Sequence, residues 1–284
     1  MTSWLKGKPV ADSITENNRL LVKKWNEIGI MPGLMLIRVG EKPDDLAYER
    51  AIIKRCHMTG IRVRVEQLSE SVAQNDFLCS LQKHNEDPEI HGILVFRPLP
   101  SQLKEEEIRH HISVEKDVDG FHPMNSAELL AGDERAFAPC TPAAVMAMLE
   151  YYQIPLEGVR ATVLGRSMVV GKPAALMLLK KNATVTIAHS RTPELETVTR
   201  EADVLVAAVG KADMITERYV KKGAVIMDVG INVDGDGNLT GDVDGERVDG
   251  IAKAVTPVPG GIGSVTTAVL ARHVLKACER QHGK

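Results

Sequence analysis

The segment LAYERAIIKRC (46–56) carries two side chains that could take part in chemistry, the tyrosine Tyr48 and, six residues later, the lysine Lys54. A tyrosine and a lysine on one helix face make a catalytic pairing. A helix turns by about 100° per residue, so a residue four positions on returns to within about 40° of the start, whereas one six positions on lies about 120° away. The residue stacked over Tyr48 is therefore Ile52, and we expect Lys54 to face elsewhere.

A second segment, ATVLGRSMVVGKP (161–173), has the composition of a phosphate-binding turn. Gly165, Arg166 and Ser167 follow a strand-like run, and Gly171 precedes a proline suited to the first turn of a helix. Glycines permit tight turning and close approach of the backbone, and a helix N-terminus offers free N–H groups to an anion. The spacing is not GxGxxG, so an ordinary strand–helix turn remains an alternative.

The next strand ends in AHSRT, and this ending bears on cofactor choice. Enzymes that prefer NAD place an acidic residue here for the ribose 2′-hydroxyl. This chain offers Ser190 and Arg191, with Arg166 in the preceding turn. A hydroxyl and guanidinium groups suit a 2′-phosphate, so the segment favours NADP over NAD. The alternative is that Arg191 is a solvated loop charge.

These segments lie in two series of alternating strands and helices. The first follows a helix near 10–28 and reads as strands 33–39, 61–68 and 90–96 with helices 45–60 and 71–85. The second begins at a helix over 141–154, for which Thr141 is the predicted N-cap and Pro142 the first helical residue, and it ends in a long C-terminal helix. The segment 122–140 is the predicted crossing. The pattern indicates an α/β protein in which two doubly wound units with parallel sheets flank a ligand-binding cleft.

The composition of the chain argues against several classes of protein. The net charge of −3 and an aromatic content of 4% argue against nucleic-acid binding. No apolar run approaches the ~20 residues of a membrane span, and the first residues do not resemble a signal peptide. The four cysteines are scattered, which indicates reduced thiols and a cytoplasmic protein. No His/Cys/Asp set has metal-ligand spacing, so we expect no metal site.

Five motifs occur in an order that resembles a known family. They are GILVFRPLP (92–100), EKDVDGFHP (115–123), PCTP (139–142), GRSMVVGKP (165–173) and TPVPGGIG (256–263). Together they resemble the methylenetetrahydrofolate dehydrogenase/methenyltetrahydrofolate cyclohydrolase family over nearly the whole chain. The resemblance implies an N-terminal α/β catalytic domain (1–138 plus 266–284) and a Rossmann-like NADP-binding domain (139–265). It also implies a homodimer formed through the second domain.

The resemblance assigns roles to individual residues. Cofactor contacts fall on Gly165, Arg166, Ser167, Ser190 and Ile231. Tyr48 and Asp119 are the catalytic candidates. Contacts to a tetrahydrofolate substrate, possibly polyglutamylated, fall on Tyr48, Ile52, Phe96, Asp119, Pro257, Pro259, Gly260 and Gly261.

The residues themselves agree with the folate roles. Tyr48 can offer a flat face to an aromatic ring, although a partly buried helix tyrosine is the alternative. Asp119 can accept two N–H bonds from a pterin, although a turn-forming aspartate is the alternative, and Asp117 more plausibly shapes the loop. The glycines of PVPGG permit positive φ or a close ligand, and either of its X–Pro bonds could be cis.

This chain departs from the family pattern at the substrate site. The family places a lysine four residues after the tyrosine, where this chain has Ile52, and reads QLPLP where this chain has FRPLP. Phe96 thus replaces a glutamine and Arg97 a leucine, and Ser264 stands where proline is usual. Hydride transfer needs alignment rather than a protein acid or base, whereas cyclohydrolysis is acid–base work. The pattern predicts a dehydrogenase whose cyclohydrolase activity is weak or absent.

Three alternatives remain open at the sequence level. The protein could be fully bifunctional, with Lys54 or Arg97 replacing the lysine after a helix shift. It could instead be a non-catalytic sensor that binds folate or NADP. An unrelated NADP oxidoreductase of the same architecture is the third, because fold alone does not fix function.

Overall fold

The computed structural model describes residues 1–233, 235 and 237–283. The chain divides into two compact units. The first unit consists of Asp12–Cys140 together with the chain from Thr267 on, and the second consists of Met1–Ala11 with Thr141–Thr266. Among the described residues, no helix combines the length and apolar character that a membrane crossing requires.

The described chain contains short strands, most of them in parallel sheets, and helices. The strands are β1 (Ser3–Trp4), β2 (Gly33–Val39), β3 (Arg62–Leu68), β4 (Gly92–Val95), β5 (Arg160–Leu164), β6 (Thr184–Ala188), β7 (Val204–Ala207), β8 (Val225–Asp228), β9 (Asn232–Val233), β10 (Leu239–Thr240) and β11 (Ala254–Val255). The helices are α1 (Gly7–Glu27), α2 (Pro43–Thr59), α3 (Gln74–Glu86), α4 (Glu105–His111), α5 (Pro123–Leu130), α6 (Cys140–Tyr151), α7 (Gly171–Lys180), α8 (Leu195–Thr199), α9 (Gly245–Val248) and α10 (Gly263–His282).

The sheet of the first unit is small and parallel, with the order β3-β2-β4. The central strand β2 is buried along its whole length, as expected for a strand covered on both faces. α2 and α3 are the crossover connections of this sheet. The predicted βαβαβ series is therefore confirmed.

Helix α2 carries the candidate tyrosine, and local chemistry explains both of its ends. It begins at Pro43, whose fixed φ suits the first turn. It ends at Gly60, which has φ 85° and donates its N–H to the carbonyl oxygen of Cys56 at 2.9 Å. The predicted stop at Gly60 is confirmed.

Two predicted helix starts are wrong. α3 begins at Gln74 rather than Ser71, because the N–H of Val72 donates to the carbonyl oxygen of Ser69 in a preceding turn (2.9 Å). α6 begins at Cys140, so Thr141 is not its N-cap. The N–H of Cys140 instead donates to the distant carboxylate of Asp119 at 2.9 Å, which replaces a local cap.

The second unit contains a six-stranded parallel sheet with the order β1-β11-β8-β7-β5-β6. It is the doubly wound architecture expected of the second half of the chain. A cluster of buried aliphatic side chains from β5, β7, β8 and β11 forms its core.

The division differs from the predicted domain bounds mainly at the N-terminus. Residues 1–11, predicted to lie in the catalytic domain, belong to the second unit. The reason is that β1 pairs with β11, with Ser3 opposite Ala254. The hydroxyl of Thr2 adds a hydrogen bond to the carbonyl oxygen of Ala252 at 2.9 Å.

Candidate active site

Helix α2 fixes the orientation of the tyrosine. The guanidinium of Arg38, on β2, donates to the carboxylate of Glu49, the residue after Tyr48, at 2.9 Å, and both side chains are largely buried. The ammonium of Lys42 donates to the carbonyl oxygen of Pro98 at 3.0 Å. These bonds tie the start of α2 to its own sheet and to the segment after β4.

Two of the positions at which this chain departs from the family pattern, 52 and 96, are buried. Ile52 has an exposed fraction of 0%, whereas Lys54 is exposed, so Lys54 faces away from Ile52 as the helical angle predicts. Phe96 directly follows β4 and is 6% exposed, and its ring meets the ring of Tyr48 edge-on at a centroid distance of 5.9 Å and an angle of 75°. Tyr48 therefore stands beside an apolar group, and neither Ile52 nor Phe96 can transfer a proton.

Asp119 forms two separate contacts through its two carboxylate oxygens. Oδ1 accepts the N–H of Cys140 at 2.9 Å, and Oδ2 accepts a guanidinium N–H of Arg97 at 3.3 Å. The Arg97 guanidinium also lies 4.5 Å from the centre of the Phe121 ring. The ion pair between Arg97 and Asp119 is a feature that sequence reasoning missed, because it depends on the meeting of two separate loops.

The neighbouring carboxylate, Asp117, shapes the loop that carries Asp119. It is fully buried and accepts the backbone N–H groups of Phe121 (3.0 Å) and His122 (2.7 Å) and the amide of Asn125 (2.7 Å). Burial raises the pKa of the Asp117 carboxyl to about 6, while these donors oppose the rise. The predicted structural role of Asp117 is confirmed.

The PVPGG turn belongs to the second unit. Its Val258–Pro259 bond is cis, and Gly260 has φ 98° and accepts the N–H of Gly7 at 2.8 Å through its carbonyl oxygen. Ser264 donates its hydroxyl to the carbonyl oxygen of Gly261 at 2.7 Å, which explains how serine suits this position. The predicted folate contacts at Pro257, Pro259, Gly260 and Gly261 stay predictions.

The candidate phosphate turn has no room for side chains at two glycines. Gly165 has φ 134°, and a Cβ there would overlap the carbonyl oxygen of Ala208. A Cβ on Gly171 would overlap the carbonyl oxygen of Gly165. The hydroxyl of Ser167 accepts the N–H of Val170 at 3.0 Å just before α7 begins. The result is a tight loop that leads into a helix N-terminus, which fits a phosphate group.

The predicted cofactor residues gather at one edge of the second sheet. β5 and β6 pair with Leu164 opposite Ala188, so the residues that follow each strand emerge at the same edge. Arg166, Ser167, Ser190 and Arg191 are all exposed there. Ile231, which follows β8 at this edge, is 70% exposed. The arrangement fits a dinucleotide, which binds beyond the carboxyl ends of such strands.

Comparison with known proteins identifies the family. Residues 5–119 match the catalytic-domain model of tetrahydrofolate dehydrogenase/cyclohydrolase, and residues 139–282 match its NAD(P)-binding-domain model. The chain belongs to the tetrahydrofolate dehydrogenase/cyclohydrolase family. The recognition made from the five motifs is thus confirmed, as is the two-domain α/β fold.

Full-length relatives of this family are similar to the chain throughout. The bifunctional protein FolD of Alkaliphilus oremlandii is 56% identical over 282 residues, which cover 99% of each chain. The crystal structure of the Campylobacter jejuni bifunctional enzyme FolD has a TM-score of 0.96 and 38% identity, covering 99% of this chain and 100% of that one. FolD of Trypanosoma brucei, complexed with NADP cofactor and inhibitor, has a TM-score of 0.93 and 31% identity over 100% and 99% of the two chains.

Three potential metal ligands lie close together outside the predicted site of this family member. Atoms of His91, Cys278 and His282 lie within 4.8 Å of one another, although the residues are far apart in the chain. His91 Nδ1 accepts the N–H of Gly33 at 3.0 Å, so the proton of the neutral ring is on Nε2. Nε2 faces Nε2 of His282 at 3.0 Å and serves as the donor of a hydrogen bond. The geometry is that of a hydrogen-bonded pair, because a metal on Nε2 needs the ring proton on Nδ1.

Proposed function

We propose that the protein oxidises 5,10-methylenetetrahydrofolate to 5,10-methenyltetrahydrofolate with NADP⁺, and that its cyclohydrolase activity is weak or absent. The observation that carries this proposal is the apolar pair of buried side chains, Ile52 and Phe96, beside Tyr48. These two residues stand where the family pattern has a lysine and a glutamine.

The dehydrogenase step is compatible with this apolar surrounding. When bound, NADP⁺ supplies the acceptor for the hydride that leaves the methylene carbon of the folate. The protein's part is to bind and align, and Tyr48 offers a flat face while the Asp119 carboxylate offers acceptors for the pterin. No residue has to lose or gain a proton in this step.

The hydrolytic step makes different demands. Water must attack the methenyl carbon, one of its protons must be removed, and a ring nitrogen must be protonated as the ring opens. Lys54 is exposed, and the guanidinium of Arg97 already pairs with Asp119. Neither is placed as the lysine of the family pattern would be, so we expect slow hydrolysis.

NADP is the proposed cofactor rather than NAD. Ser190 and Arg191 are exposed after β6, and Arg166 is exposed after β5 at the same edge of the sheet. A guanidinium can form two parallel hydrogen bonds with a 2′-phosphate. The NADP complex of the related Trypanosoma brucei enzyme supports the choice.

Full bifunctionality is the second candidate. The relatives with about half or more of their residues identical, including that of Clostridioides difficile at 52% over 280 residues, are named bifunctional. If the protein is bifunctional, ordered water or a rearranged Arg97 would carry out the proton transfers. A hydrolysis assay separates the two candidates.

The assay supplies purified protein with 5,10-methenyltetrahydrofolate and follows its loss against a buffer blank. We expect a rate close to the blank in a sample that readily reduces NADP⁺ with 5,10-methylenetetrahydrofolate. Rapid hydrolysis would favour the bifunctional candidate. Folate binding without reduction of NADP⁺ would favour a sensor.

We further propose a cytoplasmic homodimer that assembles through the second unit. β6 is an end strand of the six-stranded sheet, and Ile187 on it is partly exposed. An end strand offers unpaired backbone groups to a second copy. The four free cysteines agree with a reducing compartment. Sedimentation and cell fractionation test these two points.

A further inference from the structure

The ion pair of Arg97 and Asp119 has a basic member that the family pattern lacks. The pattern has leucine at position 97, whereas this chain places a guanidinium 3.3 Å from the carboxylate of Asp119. Both side chains are 20% exposed, so they are partly sheltered yet can be reached from solvent. An ion pair that solvent can reach contributes little to stability.

Each member of the pair is also held by a contact of its own. The Arg97 guanidinium lies over the ring of Phe121 at 4.5 Å, and Phe121 is itself buried. Asp119 is held on its other oxygen by the N–H of Cys140 at 2.9 Å. Acceptor and donor are therefore positioned before any ligand arrives, which lowers the entropic cost of binding.

The pair offers hydrogen-bonding capacity beyond its internal bond. A guanidinium has five N–H donors, and Asp119 is the hydrogen-bond partner that the described structure gives it. Each carboxylate oxygen of Asp119 has two lone pairs, of which one is used by Cys140 or Arg97. Acceptors and donors thus lie side by side.

A 4-oxopteridine has a matching edge. Its exocyclic amine and ring N–H are adjacent donors, and the 4-carbonyl oxygen beside them is an acceptor. We propose that Arg97 is a specificity-determining residue that donates to this 4-carbonyl oxygen while Asp119 accepts the two N–H groups. The inference rests on the proposed function, because it assumes that the folate pterin reaches Asp119.

A pteridine with an amino group at position 4 does not match this arrangement. The amino group presents N–H donors to the donors of Arg97, and the ring nitrogen next to it has lost its proton. A site built to hydrogen-bond a carbonyl oxygen rejects such an analogue, because its own polar groups are left unpaired. Arg97 should therefore make the protein prefer 4-oxo over 4-amino folates.

The test compares folic acid with 4-amino-4-deoxyfolic acid, which differ at this position alone. Dissociation constants of both are measured by calorimetry for the wild type, Arg97→Leu and Arg97→Lys. We expect the 4-oxo preference to fall about tenfold or more in Arg97→Leu, as for the loss of one hydrogen bond from a charged donor. Arg97→Lys keeps a donor and a charge without the planar fork, and should retain part of the preference.

The control is Arg19→Leu, which makes the same chemical change at an exposed arginine that pairs with Glu16 at 3.2 Å. Its preference should equal that of the wild type. An unchanged preference in a folded Arg97→Leu variant, or no binding of folic acid by the wild type, would overturn the inference. Reduction of NADP⁺ with 5,10-methylenetetrahydrofolate, measured on the same samples, reports separately on the proposed function.

Discussion

Restoring the family's lysine at position 52 is expected to destabilise the protein. Ile52 is fully buried, so Ile52→Lys forfeits about 1.5–3 kcal/mol of apolar burial. The new ammonium would also be buried, and the ring of Phe96 has no atom that could accept a hydrogen bond from it. A buried charge without a partner costs about 3–5 kcal/mol. We therefore expect the free energy of unfolding of Ile52→Lys to be lower than that of the wild type by at least about 3–5 kcal/mol.

Adding Phe96→Gln should recover part of this loss. The amide oxygen can accept a hydrogen bond from the new ammonium, and such a bond to a charged group contributes about 1.5–3 kcal/mol. The loss of unfolding free energy in the double variant should therefore be smaller than the sum of the losses in the two single variants, by about 1.5–3 kcal/mol. It should also hydrolyse methenyltetrahydrofolate faster than the wild type, because a lysine with a polar neighbour can assist proton transfer.

Urea unfolding of the wild type, both single variants and the double variant gives the coupling free energy, and the methenyl assay gives the activity. The matched control is Ile53→Lys, one residue along α2 at a half-buried position from which a lysine stem can reach water. An Ile52→Lys variant as stable as Ile53→Lys would show that position 52 is not closed to water. A coupling of zero would refute the idea that positions 52 and 96 act together.

Three further predictions concern other parts of the chain. Arg191→Ala should raise KM for NADP⁺ about tenfold or more, with kcat and the kinetics with NAD⁺ little changed, because it removes a charged donor to the 2′-phosphate. Equal losses with both cofactors would contradict this role. Gly165→Ala should lower stability by about 1–3 kcal/mol and weaken NADP⁺ binding, since a side chain is strained at φ 134° and meets the carbonyl oxygen of Ala208; thermal unfolding and KM check it. Burial lowers the pKa of His91 to about 4, so the unfolded chain takes up a proton first and stability should fall as the pH drops from about 6.5 to about 4. In His91→Gln the urea midpoint should depend less on pH over this window, and an identical dependence would count against a neutral His91.

Local sequence was sufficient where one helix or strand determines the outcome. The angular argument on α2 separated the direction of Lys54 from that of Ile52, because the angle between two residues follows from helix geometry; the structure adds that Ile52 is buried and Lys54 exposed. The glycines of the phosphate turn and the stop at Gly60 were likewise predictable, since Gly60 and Gly165 have positive φ and Gly171 lies against the backbone of Gly165.

Features that join distant segments could not be predicted in this way. The start of α6 is satisfied by Asp119 rather than by a neighbouring cap, and Asp119 in turn holds Arg97. The two-residue strand β1 is too short to show periodicity, and its partner lies some 250 residues away. His91 meets His282 only because α10 returns to the first unit. Each is a product of tertiary contact.

The pairing of β1 with β11 has a consequence for the order of events during synthesis. Ser3 and Trp4 form one edge of the second unit's sheet, yet their partners Ala254 and Val255 leave the ribosome some 250 residues later. The first unit is likewise incomplete until the chain from Thr267 on has been made. Neither unit is one continuous stretch, so cutting the gene at a single point yields no complete half. Each unit can therefore complete its fold only after its later segment has emerged, which is β11 for the second unit and α10 for the first.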